Sequence, residues 1–200
     1  MYLFIDKLLA FILLILFLPL FFILFLAVKI ESRGHFIFKQ PRLGKNKKKF
    51  IMYKIRTMRM NAEQIKRLYF GLNEADGPVF KINNDPRYTK IGRFLSHTGL
   101  DELPQLINII KGEMAFVGPR PLPIDEALQI PKQYEMRFSI LPGITSPWVI
   151  GGSHSLSFKQ WMEMDVNYVQ NRSLGLDLKI ALQTAGLIGT FIIKQIRIRL

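Results

Sequence analysis

The chain has no cysteine and only three histidines, His35, His97 and His154, scattered without ligand spacing. Disulfides and thiolate metal centres are excluded, so any bound metal has to be a hard ion held by carboxylates and phosphate. Acidic residues are also scarce, with 15 Asp and Glu against 28 Lys and Arg, a formal net charge of +13. Internal repeats and Gly/Ser-rich linkers are missing, and 200 residues leave room for one domain, or one domain plus a membrane element. Yet 49% of the residues are hydrophobic. Strong positive charge combined with that hydrophobicity fits a membrane surface better than a soluble nucleic-acid binder.

From Leu8 through Val28 there is no charged or strongly polar residue, a run long enough to cross a hydrocarbon core of about 30 Å as a helix. Ala27-Val28-Lys29 lacks the small-residue exit of a cleaved signal peptide, so the segment is expected to stay. The cations that follow, Lys29, Arg33, Lys39, Arg42, Lys45, Lys47, Lys48 and Lys49, place the next domain on the cytoplasmic side. Pro19 lies near the middle of the run and predicts a kink, because it removes a helical hydrogen bond and clashes with the preceding turn. Each half is about 15 Å long. A bent span and a hairpin that dips into one leaflet and returns are both compatible with this pattern.

Further on, His35–Lys39 and Phe50–Ile55 read as a strand pair around the turn Pro41–Asn46. Four lysines in and beside that turn, next to Phe50 and Tyr53, suit single-stranded nucleic acid or anionic lipid. Their position just after a membrane segment favours lipid. Asn61–Leu72 reads as a surface helix, and Asn83-Asn84-Asp85-Pro86-Arg87 as a turn that delivers Arg87. Met114–Val117 reads as a short strand ending at Gly118-Pro119-Arg120-Pro121, where two prolines present the Arg120 guanidinium at little entropic cost. Leu176–Leu200 carries an apolar stretch, Ile180–Ile193, followed by Lys194, Arg197 and Arg199. It is too short to span a bilayer and suits a helix lying in the interface or packed on the domain.

Leu100-Asp101-Glu102-Leu103-Pro104-Gln105-Leu106 carries the most chemistry. Leu100, Leu103, Leu106, Ile107 and Ile110 form one apolar stripe, predicting a helix that begins near Asp101 with Pro104 in its first turn. A helix N-terminus keeps carboxylates ionised and attracts phosphate. Neighbouring residues on a helix point about 100° apart, so Asp101 and Glu102 are expected to take different roles. Two capping acids are the simpler alternative.

Lys54-Ile55-Arg56-Thr57-Met58, Asp85-Pro86-Arg87, the Leu100–Leu106 segment, Lys111-Gly112-Glu113-Met114, Val117-Gly118-Pro119-Arg120-Pro121 and Pro142-Gly143-Ile144-Thr145 occur in an order that resembles the bacterial sugar transferases, the monotopic phosphoglycosyl transferases. The resemblance runs from the apolar segment to about Lys179. It implies an α+β, mostly helical fold: a re-entrant membrane helix over 1–30 broken at Leu18 and Pro19, and a catalytic domain over 31–200 with a short β element and amphipathic interfacial helices. The implied place is the cytoplasmic face of the bacterial inner membrane. The implied reaction, the first step of polysaccharide or glycoconjugate assembly, moves a sugar phosphate from a nucleotide diphosphate sugar to polyprenol phosphate. Asp101 would be the nucleophile that carries the phosphosugar, and Glu102 with Asp101 would hold Mg²⁺. Lys54, Arg56, Arg87 and Arg120 match basic substrate-binding positions, and Asp165 matches a further acid. Implied partners are the two substrates and membrane lipids, with no nucleic acid; a homodimer stays open.

Departures from the pattern are Leu18 in place of serine, Ser96 in place of arginine, with Arg93 as the candidate substitute, and Gly99 in place of serine. Ser146–Ser153 also replaces a Gly-Trp-Ala-Gln-Val-Asn-Gly-Arg stretch expected on the donor side. That last change motivates an alternative in which the chain is a membrane-anchored scaffold of the same family.

Overall fold

The computed structural model describes residues 2–152 and 156–197. The chain begins with two apolar helices, α1 (Tyr2–Leu16) and α2 (Leu18–Glu31). They meet at a 60° bend, and α2 carries Pro19 in its first turn, so the kink falls where the proline predicts it. Among the described residues no single helix is long and apolar enough to cross a membrane; this bent pair passes the same test together.

The pair is not a detached arm. Ala10 of α1 is fully buried in a cluster with Phe50, Met52, Leu106, Ile109 and Met114. Leu24 and Val28 of α2 pack on Ile55 and Leu95. Two polar clasps close the far end of α2. Glu31 accepts the Ile91 backbone N–H, an otherwise unpaired donor at a helix start, and Arg56 donates to the Ser32 and Arg33 carbonyls and the Ser32 hydroxyl. The outer surface of the pair stays apolar and exposed, including Phe4, Leu16, Leu18, Phe22 and Ile30.

Strands β1 (Ile37–Leu43) and β2 (Lys49–Ile55) form the expected antiparallel hairpin. Pro41, Arg42 and Leu43 belong to β1 rather than to the turn, which is confined to Gly44–Lys48 and carries Asn46 and Lys47 at positive φ. Residues 61–72 depart from the expected helix. They form turns and a 3-10 segment, Lys66–Leu72, whose Leu68, Phe70 and Leu72 are exposed. Helices owe most of their stability to a packed apolar face, and none is available there.

Helix α3 (Lys90–Thr98) starts on the Thr89 hydroxyl, which accepts the Gly92 N–H, and ends at Gly99 in the left-handed region, φ +72°. Gly92 lets α3 press against the end of β2, because a Cβ there would stand 1.8 Å from the Thr57 carbonyl oxygen. Beyond Gly99 come a 3-10 turn, Leu100–Glu102, and then α4 (Gln105–Lys111) with Pro104 as its N-cap. Strand β3 (Ala115–Val117) pairs in parallel with β4 (Gly143–Thr145). Between them lie α5 (Ile124–Ala127) and a 3-10 segment, Lys132–Phe138. Helices α6 (Pro147–Ile150), α7 (Phe158–Asn171) and α8 (Leu174–Arg197) complete the chain. The result is α+β and mostly helical, with two small sheets. Ser153, His154 and Arg199 lie outside the described residues.

Candidate active site

A left-handed glycine followed by a tight turn, rather than the start of an α-helix, sets the acidic pair. Asp101 and Glu102 sit in the 3-10 turn after Gly99, three residues before α4 begins, so the expected helix-start placement is corrected. Leu100, Leu103 and Leu106 keep helical spacing, so spacing alone reads them as one helix, but Leu100 and Leu103 pack with α2 and Leu106 with α1. The turn carries both acids onto the wall of a cavity of about 1550 Å³.

The two carboxylates differ in their partners. Lys54 Nζ, from β2, lies 2.8 Å from Glu102 Oε1 and 3.7 Å from Asp101 Oδ2. Arg120 Nη2 lies 2.8 Å from the same Glu102 oxygen. Burial alone would raise both carboxyls. At Glu102 the Arg120 and Lys54 cations outweigh it and pull the group down to about 2. At Asp101 burial wins, with the neighbouring Glu102 charge adding to it against Lys54 and Arg120, and the carboxyl is pushed up to about 6. This reverses the expectation that a helix dipole keeps Asp101 easily ionised: desolvation of the buried residue, 6% exposed, dominates. At neutral pH Asp101 is still mostly a carboxylate, poorly solvated and only loosely paired.

Arg120 is held from behind. Arg137 donates to the Arg120 carbonyl at 2.8 Å and Arg42 to the Pro121 carbonyl at 2.9 Å, so two guanidinium groups fix consecutive peptides beneath the proline-flanked side chain. Arg137 is itself anchored by Asp165, Nη2 to Oδ2 at 2.8 Å, with the pair almost wholly out of solvent. Asp165 is therefore not on the cavity wall but two contacts behind it. Burial raises its carboxyl against the pull of Arg137. Sequence reasoning missed Arg137, which lies in no recognisable motif, and saw Arg42 only as one of a basic series.

Arg56 and Arg87 both border the cavity, but their guanidinium groups are engaged elsewhere. Arg56 caps α2, as described. Arg87 is a buried partner of Asp85, Nη2 to Oδ2 at 2.6 Å, and also donates to the Ala62 carbonyl. Burial would raise the Asp85 carboxyl, and its hydrogen bonds from Arg87 outweigh that and hold it below its usual range. Arg93 is exposed on α3 and is not part of the cavity wall. Ser96 instead hydrogen-bonds the Tyr88 hydroxyl at 2.9 Å, and both line the cavity near Asp101. Leu18 is exposed at the bend.

The unusual stretch after Thr145 forms α6 and contributes Trp148, which stacks on Trp161 at 4.4 Å between ring centres. Lys81 lies over the Trp148 ring at 4.8 Å and Arg120 at 5.7 Å, so this stretch builds cavity wall. Burial, helped by the Arg120 charge, pushes the Lys81 ammonium down to about 8.

Among the described residues no group of three or more acids or histidines could cage a metal ion unaided. Two adjacent carboxylates do fit Mg²⁺, which commonly takes one or two protein carboxylates and completes its shell with substrate phosphates and water.

The site is thus a buried acid pair of unequal partners, bracketed by cations on a cavity wall, in a domain that also carries a bent apolar helix pair. A family model described as bacterial sugar transferase matches residues 1–190. Galactosyl transferase CpsE of Streptococcus agalactiae serotype III (strain NEM316) is 42% identical over 155 residues, covering 77% of this chain and 34% of that protein. Exopolysaccharide production protein ExoY of Rhizobium meliloti (strain 1021) is 38% identical over 183 residues, 90% of this chain and 81% of ExoY. Undecaprenyl-phosphate galactose phosphotransferase of Salmonella typhimurium is 36% identical over 160 residues, 76% of this chain and 33% of that protein. The chain belongs to the bacterial sugar transferase family. It matches about a third of the length of the Streptococcus and Salmonella proteins and most of ExoY.

Proposed function

We propose that this chain transfers a sugar phosphate from a nucleotide diphosphate sugar to polyprenol phosphate through a covalent intermediate on Asp101. The observation that carries this is the asymmetry of the acids: Lys54 and Arg120 both engage Oε1 of Glu102, while Asp101 keeps a desolvated carboxylate on the cavity wall. An Asp101 oxygen attacks the sugar-bearing phosphorus, and the bond to the nucleoside monophosphate breaks, its oxygen leaving with the electron pair. A phosphate oxygen of the polyprenol then attacks the same phosphorus and releases the Asp101 carboxylate, so charge balances without an added acid. Lys54 and Arg120 lie where charge on the transferring phosphoryl group is neutralised. Mg²⁺ held by Asp101 and Glu102 would screen the diphosphate and ease departure of the leaving group.

A covalent relay lets a water-soluble donor and a membrane-bound acceptor use one site in turn. In this reading the bent α1–α2 pair enters and leaves the membrane at its cytoplasmic face, with its exposed apolar surface in lipid. Purified protein supplied with Mg²⁺, undecaprenyl phosphate and a panel of nucleotide diphosphate sugars is expected to release nucleoside monophosphate with at least one donor, and Asp101→Asn to abolish the release. Silence with every donor, or full release by the variant, contradicts the proposal.

A further inference from the structure

The cavity, of about 1550 Å³, is larger than the roughly 300–1,000 Å³ of ordinary ligand sites, and its wall includes both charged and wholly apolar stretches. Asp101, Glu102, Lys54 and Arg120 line one part of it. Another is formed by Val149 and Ile150 of α6 with Leu187, Ile188 and Phe191 of α8, among which there is no ionisable side chain. Thr184, the polar residue of α8 on this wall, has its hydroxyl engaged by the Ile180 carbonyl at 2.8 Å and by Thr145. Among the described residues, none from α1 or α2 borders the cavity.

Helix α8 is apolar on two opposite sides. Ile180, Leu187, Ile188 and Phe191 face the domain and the cavity, with Ile180 buried. Leu174, Leu178 and Leu182, spaced four apart, are exposed on the other side. A surface helix normally turns a polar face outward, so apolar residues on both sides mark a helix between two apolar surroundings. A ligand that contacts both parts of the wall joins an anionic head, suited to Lys54 and Arg120, to a hydrocarbon chain.

We propose that the α6–α8 wall seats the isoprenoid chain of the acceptor, with its phosphate at Asp101 and its chain leaving along α8 rather than along the bent α1–α2 pair. The assignment of the acceptor rests on the phosphosugar-transfer reading above. The polar part alone accounts for the acceptor's phosphate, and the apolar wall accounts for its selection over other phosphates.

Binding to the full chain in detergent, read by the emission of its two tryptophans, tests this without a donor, because Trp148 lines the cavity. Undecaprenyl phosphate is expected to saturate at concentrations at least tenfold below inorganic phosphate. Leu187→Ser and Ile188→Ser should each weaken undecaprenyl phosphate about tenfold, the scale of losing part of a side chain's apolar contact, with inorganic phosphate within twofold of wild type. Phe191→Ser, at a more exposed position, gives the same reading if a half-buried site disturbs folding. Leu178→Ser on the outer side should change neither ligand. Undecaprenyl phosphate binding no tighter than inorganic phosphate, or indifferent to all three wall substitutions, overturns the proposal, as does a tenfold loss caused by Phe22→Ser on α2 instead. Covalent capture of a phosphosugar needs no acceptor. Capture with a failed binding test therefore refutes only this inference, and absence of capture refutes the underlying reading.

Discussion

Asp101→Asn is expected to make the protein more stable while ending its chemistry. Folding raises the Asp101 carboxyl from an ordinary 3.8 to about 6, so the native state binds that proton more tightly than the unfolded chain does. Burying the ionised group therefore works against folding, by nothing well below pH 3.8 and by a full amount above about pH 6. With 1.36 kcal/mol per unit, the penalty at pH 7.5 is about 3 kcal/mol, an upper figure for what the uncharged asparagine recovers. At a few degrees per kcal/mol for a chain of this size, the melting temperature should rise by about 5–10 °C. Glu102 does not blur the measurement. Its carboxyl is depressed to about 2, so the stability it lends is present above about pH 4.5 and is lost only as pH falls through the folded value. Thermal unfolding of both proteins in the same detergent between pH 4.5 and 8 should show the full advantage of Asp101→Asn at high pH and its shrinkage to about a third by pH 4.5. A variant equal to or less stable than wild type at pH 7.5, or an advantage independent of pH, refutes the reasoning.

The same titration governs turnover: the rate of nucleoside monophosphate release should rise about tenfold per pH unit below about pH 6 and level off above it, as a pH–rate profile will show. Arg137→Leu leaves the Asp165 charge buried without its partner and should cost about 3–5 kcal/mol in thermal or denaturant unfolding. Adding Asp165→Leu should recover much of that stability without recovering turnover, because the Arg120 carbonyl remains unheld. Gly92→Ala drives a methyl group into the Thr57 carbonyl oxygen and should destabilise by more than about 2 kcal/mol, measured by the shift in melting temperature.

Large parts of this architecture are legible in the sequence because one strong local signal controls each. Pro19 in an uninterrupted apolar run fixes the bend between α1 and α2, and alternation around a basic Gly-containing turn fixes the β1–β2 hairpin. The acids, Lys54 and Arg120 could be grouped from motif order, and the structure brings those four together. The turn holding Asp101 is hidden in the sequence because helical leucine spacing continues from the 3-10 turn into α4, although Leu100 and Leu103 pack in a different cluster from Leu106; the φ of Gly99 and the Pro104 cap mark the break. Arg56, Arg87 and Asp165 have the right residue types but are committed to partners that only tertiary structure supplies: the end of α2, Asp85 and Arg137. Arg137 itself carries no pattern at all, since a buried arginine behind a loop is defined by the carbonyl it meets.

The central claim is that Asp101 carries the phosphosugar. Intact-mass analysis of the protein after exposure to nucleotide diphosphate sugars and Mg²⁺, without acceptor, followed by peptide mapping, addresses it most directly. An added mass equal to one sugar phosphate is expected on Asp101, absent from Asp101→Asn and discharged by undecaprenyl phosphate. An adduct on another residue, or an active enzyme that never carries one, contradicts it.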